Sequence, residues 1–324
     1  MLTIIAYHYI RDPWMTRYPN VRGISINEFE GQLDYITKHY TVCSLRQIVA
    51  AMYHREELPP CSCLLTFDDG LLDHYLTVFP RLVERGLVGS FYPSARAIEE
   101  HQILDTHKVH FILATAKYQK IIKDIFALLT PYRKDYPLPE DDELYQMYAI
   151  SNKFAIPEVA FIRNLLLRGL PEKVGSNIVN ALFLCYIDSN EEILARELYM
   201  DVAQLRCMVQ HGMEVSGHGY KHAWLEILSK SEQEEEIYST LDFLTRIYGY
   251  TPSNWVMCYP YGSYNNMTLE ILKQVGCALG LTIHNGLVSE LTNPLELNRL
   301  DTTDIPTSKN AAIDVWTQKA QQNR

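Results

Sequence analysis

Short apolar runs alternate with amphipathic segments through both ends of the chain. Most of the runs are apolar on both faces, which is typical of parallel strands covered by helices. The pattern predicts strands at 2–8, 39–43, 62–67, 87–92, 213–217, 255–259, 278–283 and 297–300. Between them lie helical periods such as 26–40, where Phe29, Leu33 and Ile36 share one face. About eight strands in βα order predict an α/β fold, an irregular (β/α) barrel.

One long stretch, 105–200, interrupts this βα order. It shows no clear strand pattern and carries helical periods at about 107–130, 140–152, 156–168, 171–186 and 190–210. We therefore expect two parts: a catalytic barrel built from 1–104 and 201–324, and a helical insertion subdomain at 105–200.

Composition narrows the class of protein. With 47% hydrophobic and 21% charged residues, the 324-residue chain can bury a large core. Its 29 basic against 39 acidic residues give a net charge of −10, which argues against a nucleic-acid-binding surface. No apolar run approaches the roughly 20 residues of a membrane helix. The opening MLTIIAYHYI lacks the features of a signal peptide, so a cytoplasmic location is expected, with the seven scattered cysteines as free thiols.

Three motifs lie at the ends of predicted strands. Taken alone, the first and third also fit ordinary turns, and the second fits a surface histidine pair. The first, Leu64-Leu65-Thr66-Phe67-Asp68-Asp69-Gly70, places two adjacent carboxylates after a buried strand. Such carboxylates repel each other unless a cation lies nearby, and the glycine allows a sharp turn. The second, Gly217-His218-Gly219-Tyr220-Lys221-His222, places two imidazoles close enough to bind one ion. The third, Cys258-Tyr259-Pro260-Tyr261-Gly262, predicts a rigid turn that can aim a backbone N–H at a substrate oxygen.

In this order the three motifs resemble the polysaccharide deacetylases of the NodB-homology type, carbohydrate esterase family four. The resemblance covers roughly 1–105 and 200–305, and the N-terminal "YH" strand is similar to a subgroup that looks like a circular permutation. It implies a metal site made by Asp69, His218 and His222, with one divalent ion, Zn²⁺ first and Co²⁺ or Ni²⁺ as alternatives. It also implies that Asp68 is the general base and that the Tyr261 N–H stabilises the oxyanion.

The chain departs from the commonest family pattern at several positions. The general acid, often in a Leu-x-His near the end of the domain, is assigned here to His8, with His284 as the second candidate. Gly219 stands where the family usually has Ser or Thr, and Cys258 where many members have Arg. Arg299 on the last strand is a candidate replacement for that Arg, which would hold the base ionised.

The predicted reaction is the removal of an acetyl or formyl group from the nitrogen of a sugar. Tyr259 and Tyr261 are the predicted substrate-binding aromatics, because a tyrosine ring suits the apolar face of a sugar. The expected substrates are a sugar nucleotide or a lipid-linked glycan in surface-polysaccharide biosynthesis. Two alternatives are a degenerate member that binds glycan without hydrolysis, and a related hydrolase of C–N bonds outside sugars.

Overall fold

Eight parallel strands form the central sheet of the computed structural model, which describes residues 1–151, 155–187, 190–289 and 293–322. Each strand lies where the hydrophobic pattern predicts one, so these predictions are confirmed. The strands are β1 (Leu2–Tyr7), β2 (Thr41–Val42), β3 (Ser62–Asp69), β4 (Ser90–Pro93), β5 (Glu214–Val215), β6 (Val256–Cys258), β7 (Leu279–Asn285) and β8 (Leu297–Asp301).

The strands follow the order β5-β4-β3-β1-β8-β7-β6, and β2 also pairs with β3. Beyond β5, Gly217 pairs in parallel with Met257 of β6. The Gly217 N–H donates to the Val256 carbonyl and the Cys258 N–H donates to the Gly217 carbonyl, each at 2.9 Å. The two edges of the sheet therefore meet after β5, and the sheet curls into the irregular (β/α) barrel that the sequence predicts.

Fourteen helices are described. They are α1 (Ile26–His39), α2 (Leu45–His54), α3 (Phe79–Glu84), α4 (Ala95–Glu99), α5 (Asp105–Thr115), α6 (Tyr118–Leu129), α7 (Asp141–Tyr148), α8 (Pro157–Asn164), α9 (Glu172–Tyr186), α10 (Glu191–Leu198), α11 (Val202–Gln210), α12 (Lys230–Tyr248), α13 (Asn266–Gln274) and α14 (Val315–Gln322). The end of the predicted helix 140–152 lies outside the described residues. Within the described part of the chain, none of the helices has both the length and the hydrophobicity needed to cross a membrane.

The helix boundaries follow from local chemistry. On α1, Phe29, Leu33 and Ile36 are all buried, as their spacing predicts. Helix α12 begins with a capping box in which the Ser229 side chain accepts from the Glu232 N–H. It ends at Gly249, whose φ of 80° is the left-handed conformation that favours glycine.

The chain forms two compact units. The first comprises Met1–Asp12, Gly23–Gln102 and Ala195–Arg324, and contains the sheet. The second comprises Pro13–Arg22 and Ile103–Leu194, and it is helical.

Residues 13–22 belong to the second unit, whereas the predicted division of the chain placed them in the barrel. Within this unit Asn20 Nδ2 donates to the Ala114 carbonyl at 3.0 Å. The Tyr18 ring lies edge-on to Phe111, with 4.8 Å between ring centroids. Both contacts join positions about 90 apart in sequence, so no local pattern could indicate them.

Strand register brings the chemical groups to one edge of the sheet. β1 and β3 are buried along their whole length and pair so that Tyr7 lies beside Phe67. The next residues, His8 and Asp68, therefore emerge side by side. Because all paired strands are parallel, the ends of β1, β3 and β6 and the segment after β5 meet at the same carboxyl edge.

Candidate metal centre and catalytic site

The adjacent carboxylates end β3, where the backbone turns through two left-handed residues. Asp69 has a φ of 72° and Gly70 a φ of 73°. A Cβ at position 70 would lie 2.7 Å from Pro93 Cβ, so only glycine fits there without displacing β4. Both Asp68 and Asp69 are buried at this turn. The turn predicted from the motif is therefore formed.

Three side chains converge beside the turn. His218 Nε2 lies 3.3 Å from Asp69 Oδ1, and His222 Nε2 lies 3.4 Å from the same oxygen. The two Nε2 atoms are 3.1 Å apart. All three side chains are buried. The structure thus brings together the three residues that the family resemblance assigns to one ion.

The geometry of this trio fits a single divalent ion. Two ligand atoms at tetrahedral positions, each about 2.0–2.1 Å from zinc, lie about 3.3 Å from each other. The three observed separations fall close to that value. His218 Nδ1 donates to the Cys258 carbonyl at 2.8 Å, so in the neutral ring, the form that binds a metal, Nε2 carries the lone pair. One carboxylate and two imidazoles are donors that zinc, cobalt and nickel accept.

Asp68 is the second carboxylate, and Arg299 holds it. Arg299 Nη1 lies 2.8 Å from Asp68 Oδ2 and 3.0 Å from Oδ1. Burial opposes ionisation of Asp68, but the surrounding positive charge, to which Arg299 contributes most, outweighs burial, and the pKa of Asp68 is lowered. Arg299, only 4% exposed, faces the site. A carboxylate held ionised and apart from the trio can accept a proton.

Cys258, which stands in place of the usual arginine, touches the site in two ways. Its carbonyl accepts from His218, and its thiol donates to Asp68 Oδ2 at 3.4 Å. Burial raises the pKa of this thiol, so Cys258 is a neutral donor at physiological pH. The charge that the commonest pattern places at position 258 comes here from Arg299, on a different strand.

The two candidate acids differ in their surroundings. His8 Nε2 lies 3.9 Å from Asp68 Oδ2, and the His8 side chain is 48% exposed. It is thus the accessible group beside a buried carboxylate. His284 lies on the exposed end of β7, and its ring packs edge-on to Tyr264 with 6.4 Å between centroids. The contact with Asp68 favours His8.

The side chains of the two tyrosines in the third motif lie in different surroundings. The Tyr261 ring stacks on Trp224 at 4.3 Å and lies edge-on to His222 at 4.5 Å. Tyr259 is fully buried, and its hydroxyl donates to the Leu295 carbonyl at 2.9 Å. The Tyr259 ring has no exposed surface and stacks on Tyr264 at 4.6 Å between centroids, which argues against the predicted contact of this ring with substrate.

Sequence reasoning missed two residues at this site. Trp224 follows the second histidine by two positions and is the aromatic partner of Tyr261. Glu236, on α12, is buried and accepts from the backbone N–H groups of Tyr220 and Lys221. A signal existed for Glu236, because it lies on the helix face of buried Gln233, Ile237 and Thr240. The loop that it contacts could not be read from that pattern.

Comparisons with known proteins agree with the motifs. A model of the polysaccharide deacetylase family matches residues 176–280, which include His218, His222 and the turn after β6. The Bacillus subtilis (strain 168) protein named "Putative polysaccharide deacetylase YxkH" is 26% identical over 97 residues. That alignment covers 30% of this chain and 34% of YxkH, so it spans about a third of the curated relative.

Several solved structures share the fold. The deacetylase PplD of Streptococcus pyogenes, in complex with acetate, has a TM-score of 0.57 at 18% identity, covering 95% of this chain and 94% of its own. IcaB of Ammonifex degensii has a TM-score of 0.56 at 18% identity, covering 99% and 97%. The de-N-acetylase of Aggregatibacter actinomycetemcomitans has a TM-score of 0.56 at 15% identity, covering 96% of both chains. At these identities the likeness concerns the fold.

Proposed function

We propose that this chain, whose resemblance to the polysaccharide deacetylases is confirmed, is a metal-dependent hydrolase that removes an N-acyl group from a sugar. One observation carries the proposal: a buried trio of metal-binding donors lies beside a separate carboxylate that Arg299 keeps ionised. A protein that only binds glycan needs no base next to a metal site. This pairing therefore favours hydrolysis over binding alone.

Asp69, His218 and His222 are the residues proposed to hold the ion. When bound, a divalent ion polarises the amide carbonyl and lowers the pKa of water. The hydrogen bond from His218 Nδ1 to the Cys258 carbonyl holds the ring so that Nε2 faces the trio. Asp69 contributes Oδ1, which lies closest to both histidines.

Asp68 is the proposed general base, since it accepts a proton only if it is ionised and has access to the attacking water. Its ion pair with Arg299 favours the ionised form. As the water oxygen bonds to the amide carbon, its proton passes to Asp68. The Tyr261 N–H, in the turn after β6, is proposed from the family resemblance to stabilise the oxygen that gains negative charge.

His8 is the proposed general acid. Breaking the C–N bond releases the acyl group as a carboxylic acid and leaves the sugar amine, whose nitrogen needs a proton. His8 is exposed, and its Nε2 lies 3.9 Å from Asp68 Oδ2, so the proposed acid and the proposed base are adjacent. His284 remains the second candidate, and the two variants His8→Ala and His284→Ala distinguish them by which one abolishes amine release.

The proposed substrate is an N-acetylated or N-formylated sugar, linked to a nucleotide or to a lipid, in surface-polysaccharide assembly. Support for the acetyl group comes from PplD, which binds acetate, the carboxylate that deacetylation releases. Aromatic support for a sugar ring comes from the stacked pair Trp224 and Tyr261 beside His222.

The test measures amine release by the purified protein after loading with Zn²⁺, Co²⁺ or Ni²⁺. The substrates are N-acetylated and N-formylated sugars in three forms: nucleotide-linked, lipid-linked and free oligosaccharide, with a cyclic ureide as the non-sugar amide. Release of a sugar amine by the wild type, strongly reduced in Asp68→Asn, supports the proposal. Glycan binding without amine release from any sugar, or release from the ureide alone, would overturn it.

A further inference from the structure

We propose that Glu236 is a positioning residue that sets the separation of the two histidine ligands. The inference rests on the proposed metal site and adds a residue that no motif contains. Glu236 acts on the loop that connects the two histidines, through hydrogen bonds to the backbone of that loop.

The loop between the histidines is held through its N–H groups by this single carboxylate. Glu236 Oε2 accepts from the Tyr220 N–H at 3.0 Å and from the Lys221 N–H at 2.9 Å. Glu236 is only 2% exposed, so water cannot easily replace these bonds. Its helix, α12, starts at a capping box and packs against α13, so the carboxylate is presented from a rigid element.

The same loop is held from its other side through its carbonyl groups. The Gly219 carbonyl accepts from the Ala95 N–H at 3.3 Å, and the Tyr220 carbonyl accepts from the Arg96 N–H at 2.9 Å. The Ser94 hydroxyl also donates to the Tyr220 carbonyl at 3.1 Å. Helix α4 thus binds the carbonyls while α12 binds the N–H groups, which leaves the loop little freedom.

Gly219 explains why this loop needs an external acceptor. At position 219 the usual Ser or Thr hydroxyl is missing, and the glycine has a φ of 71°. A Cβ there would lie 3.4 Å from Glu236 Oε2 and 3.2 Å from Pro260 Cγ. The carboxylate packs against the face that lacks a side chain and supplies the hydrogen-bond acceptor for the next two residues.

A metal site depends on the loop because its ligand atoms must stay within a few tenths of an ångström of their positions. His218 is tied to the Cys258 carbonyl, whereas His222 follows directly after the segment that Glu236 binds. Loss of the carboxylate therefore lets His222 move relative to His218. The expected consequence is weaker metal binding in a protein that keeps its fold.

The experiment measures the Zn²⁺ dissociation constant by competition with a chelator, and the visible spectrum of the Co²⁺-loaded protein, which reports ligand geometry. Glu236→Ala should weaken Zn²⁺ binding by roughly 10–100-fold, the usual effect of losing a residue that orients metal ligands. Glu236→Gln keeps one acceptor oxygen and should retain the wild-type affinity and spectrum. Glu235→Gln is the matched control, because the ion pair of the neighbouring Glu235 is made with the Lys221 side chain, at 3.6 Å.

Wild-type affinity and an unchanged Co²⁺ spectrum in folded Glu236→Ala would overturn the inference. If that variant does not fold, Glu236→Asp replaces it, because the shorter side chain withdraws the acceptor by one methylene. Unchanged metal binding in Glu236→Asp would overturn the inference equally. A wild-type protein that binds no divalent ion would instead overturn the proposed function, so the two failures are distinguishable.

Discussion

Arg299 on β8 and Asp68 at the end of β3 form a buried ion pair across the intervening strand β1. The guanidinium is also fixed by two neutral acceptors. Nε donates to the Thr282 carbonyl at 2.8 Å, and Nη1 donates to the Thr66 hydroxyl at 3.2 Å. Each charge therefore has a defined orientation, which makes the pair a determinant both of stability and of the ionisation of Asp68.

Replacing Arg299 with Met should destabilise the protein by about 3–5 kcal/mol, because it leaves a buried carboxylate without its partner. Urea unfolding monitored by circular dichroism measures the change. Arg85→Met is the control: Arg85 pairs with Asp34 at 3.0 Å on the surface, and losing such a pair costs about 0–1 kcal/mol. Equal losses in the two variants would contradict the role given to burial.

The two adjacent carboxylates should respond differently to the same amide substitution. Asp68→Asn should keep the metal and lower the rate of amine release by roughly 10²–10⁴-fold, since the proposed general base is lost. Asp69→Asn should bind metal more weakly, and added metal should restore part of its activity. Metal content and turnover are measured together for both variants. Full turnover in Asp68→Asn would show that the base is another group.

His218→Ala should abolish both metal binding and activity, because it removes one of the three proposed ligands and the link to Cys258. Elemental analysis of the purified variant gives the metal stoichiometry. His54→Ala, at the exposed end of α2, is the control and should keep the wild-type metal content. Undiminished stoichiometric metal in His218→Ala would remove this residue from the assigned site.

Ionisation of Glu214 should lower the stability of the folded protein as the pH rises. Its carboxylate accepts from the Leu45 N–H at 2.8 Å and from the Ser90 hydroxyl at 2.9 Å. Burial nevertheless raises the pKa of Glu214 above its ordinary value. A raised folded-state pKa contributes stability that is present below the unfolded pKa and lost as the pH rises through the folded pKa.

Glu214→Gln cannot ionise, so its stability relative to wild type should improve from pH 4 to pH 8. Glu232 should have the opposite effect on the pH dependence of stability, because hydrogen bonds from Ser229 lower its pKa. Glu232→Gln should therefore lose stability relative to wild type over the same range. Free energies of unfolding at several pH values test both. A parallel response of the two variants would refute the assignment.

The sequence by itself determined the strands and the residues that carry chemistry. Apolar runs with β-strand length specify β1 and β3, and polar groups that directly follow them must lie at the carboxyl edge of a parallel sheet. Asp68, Asp69, His218 and His222 were identifiable because they come at or soon after the ends of predicted strands, and the family resemblance supplied their predicted roles. The caps of α12 at Ser229 and Gly249 depend only on neighbouring residues, so the local sequence encodes them as well.

Only the tertiary structure decided which distant residues meet. Arg299 reaches Asp68 because β8 lies beside β1, and that strand order is set by packing of the whole sheet. Glu236 reaches the histidine loop because α12 folds back on the segment before it. The burial of Tyr259 depends on neighbours such as Leu295 in the same way. Local sequence patterns encode local structure. These contacts form only when the whole core packs, because no single segment specifies which distant segment it will meet.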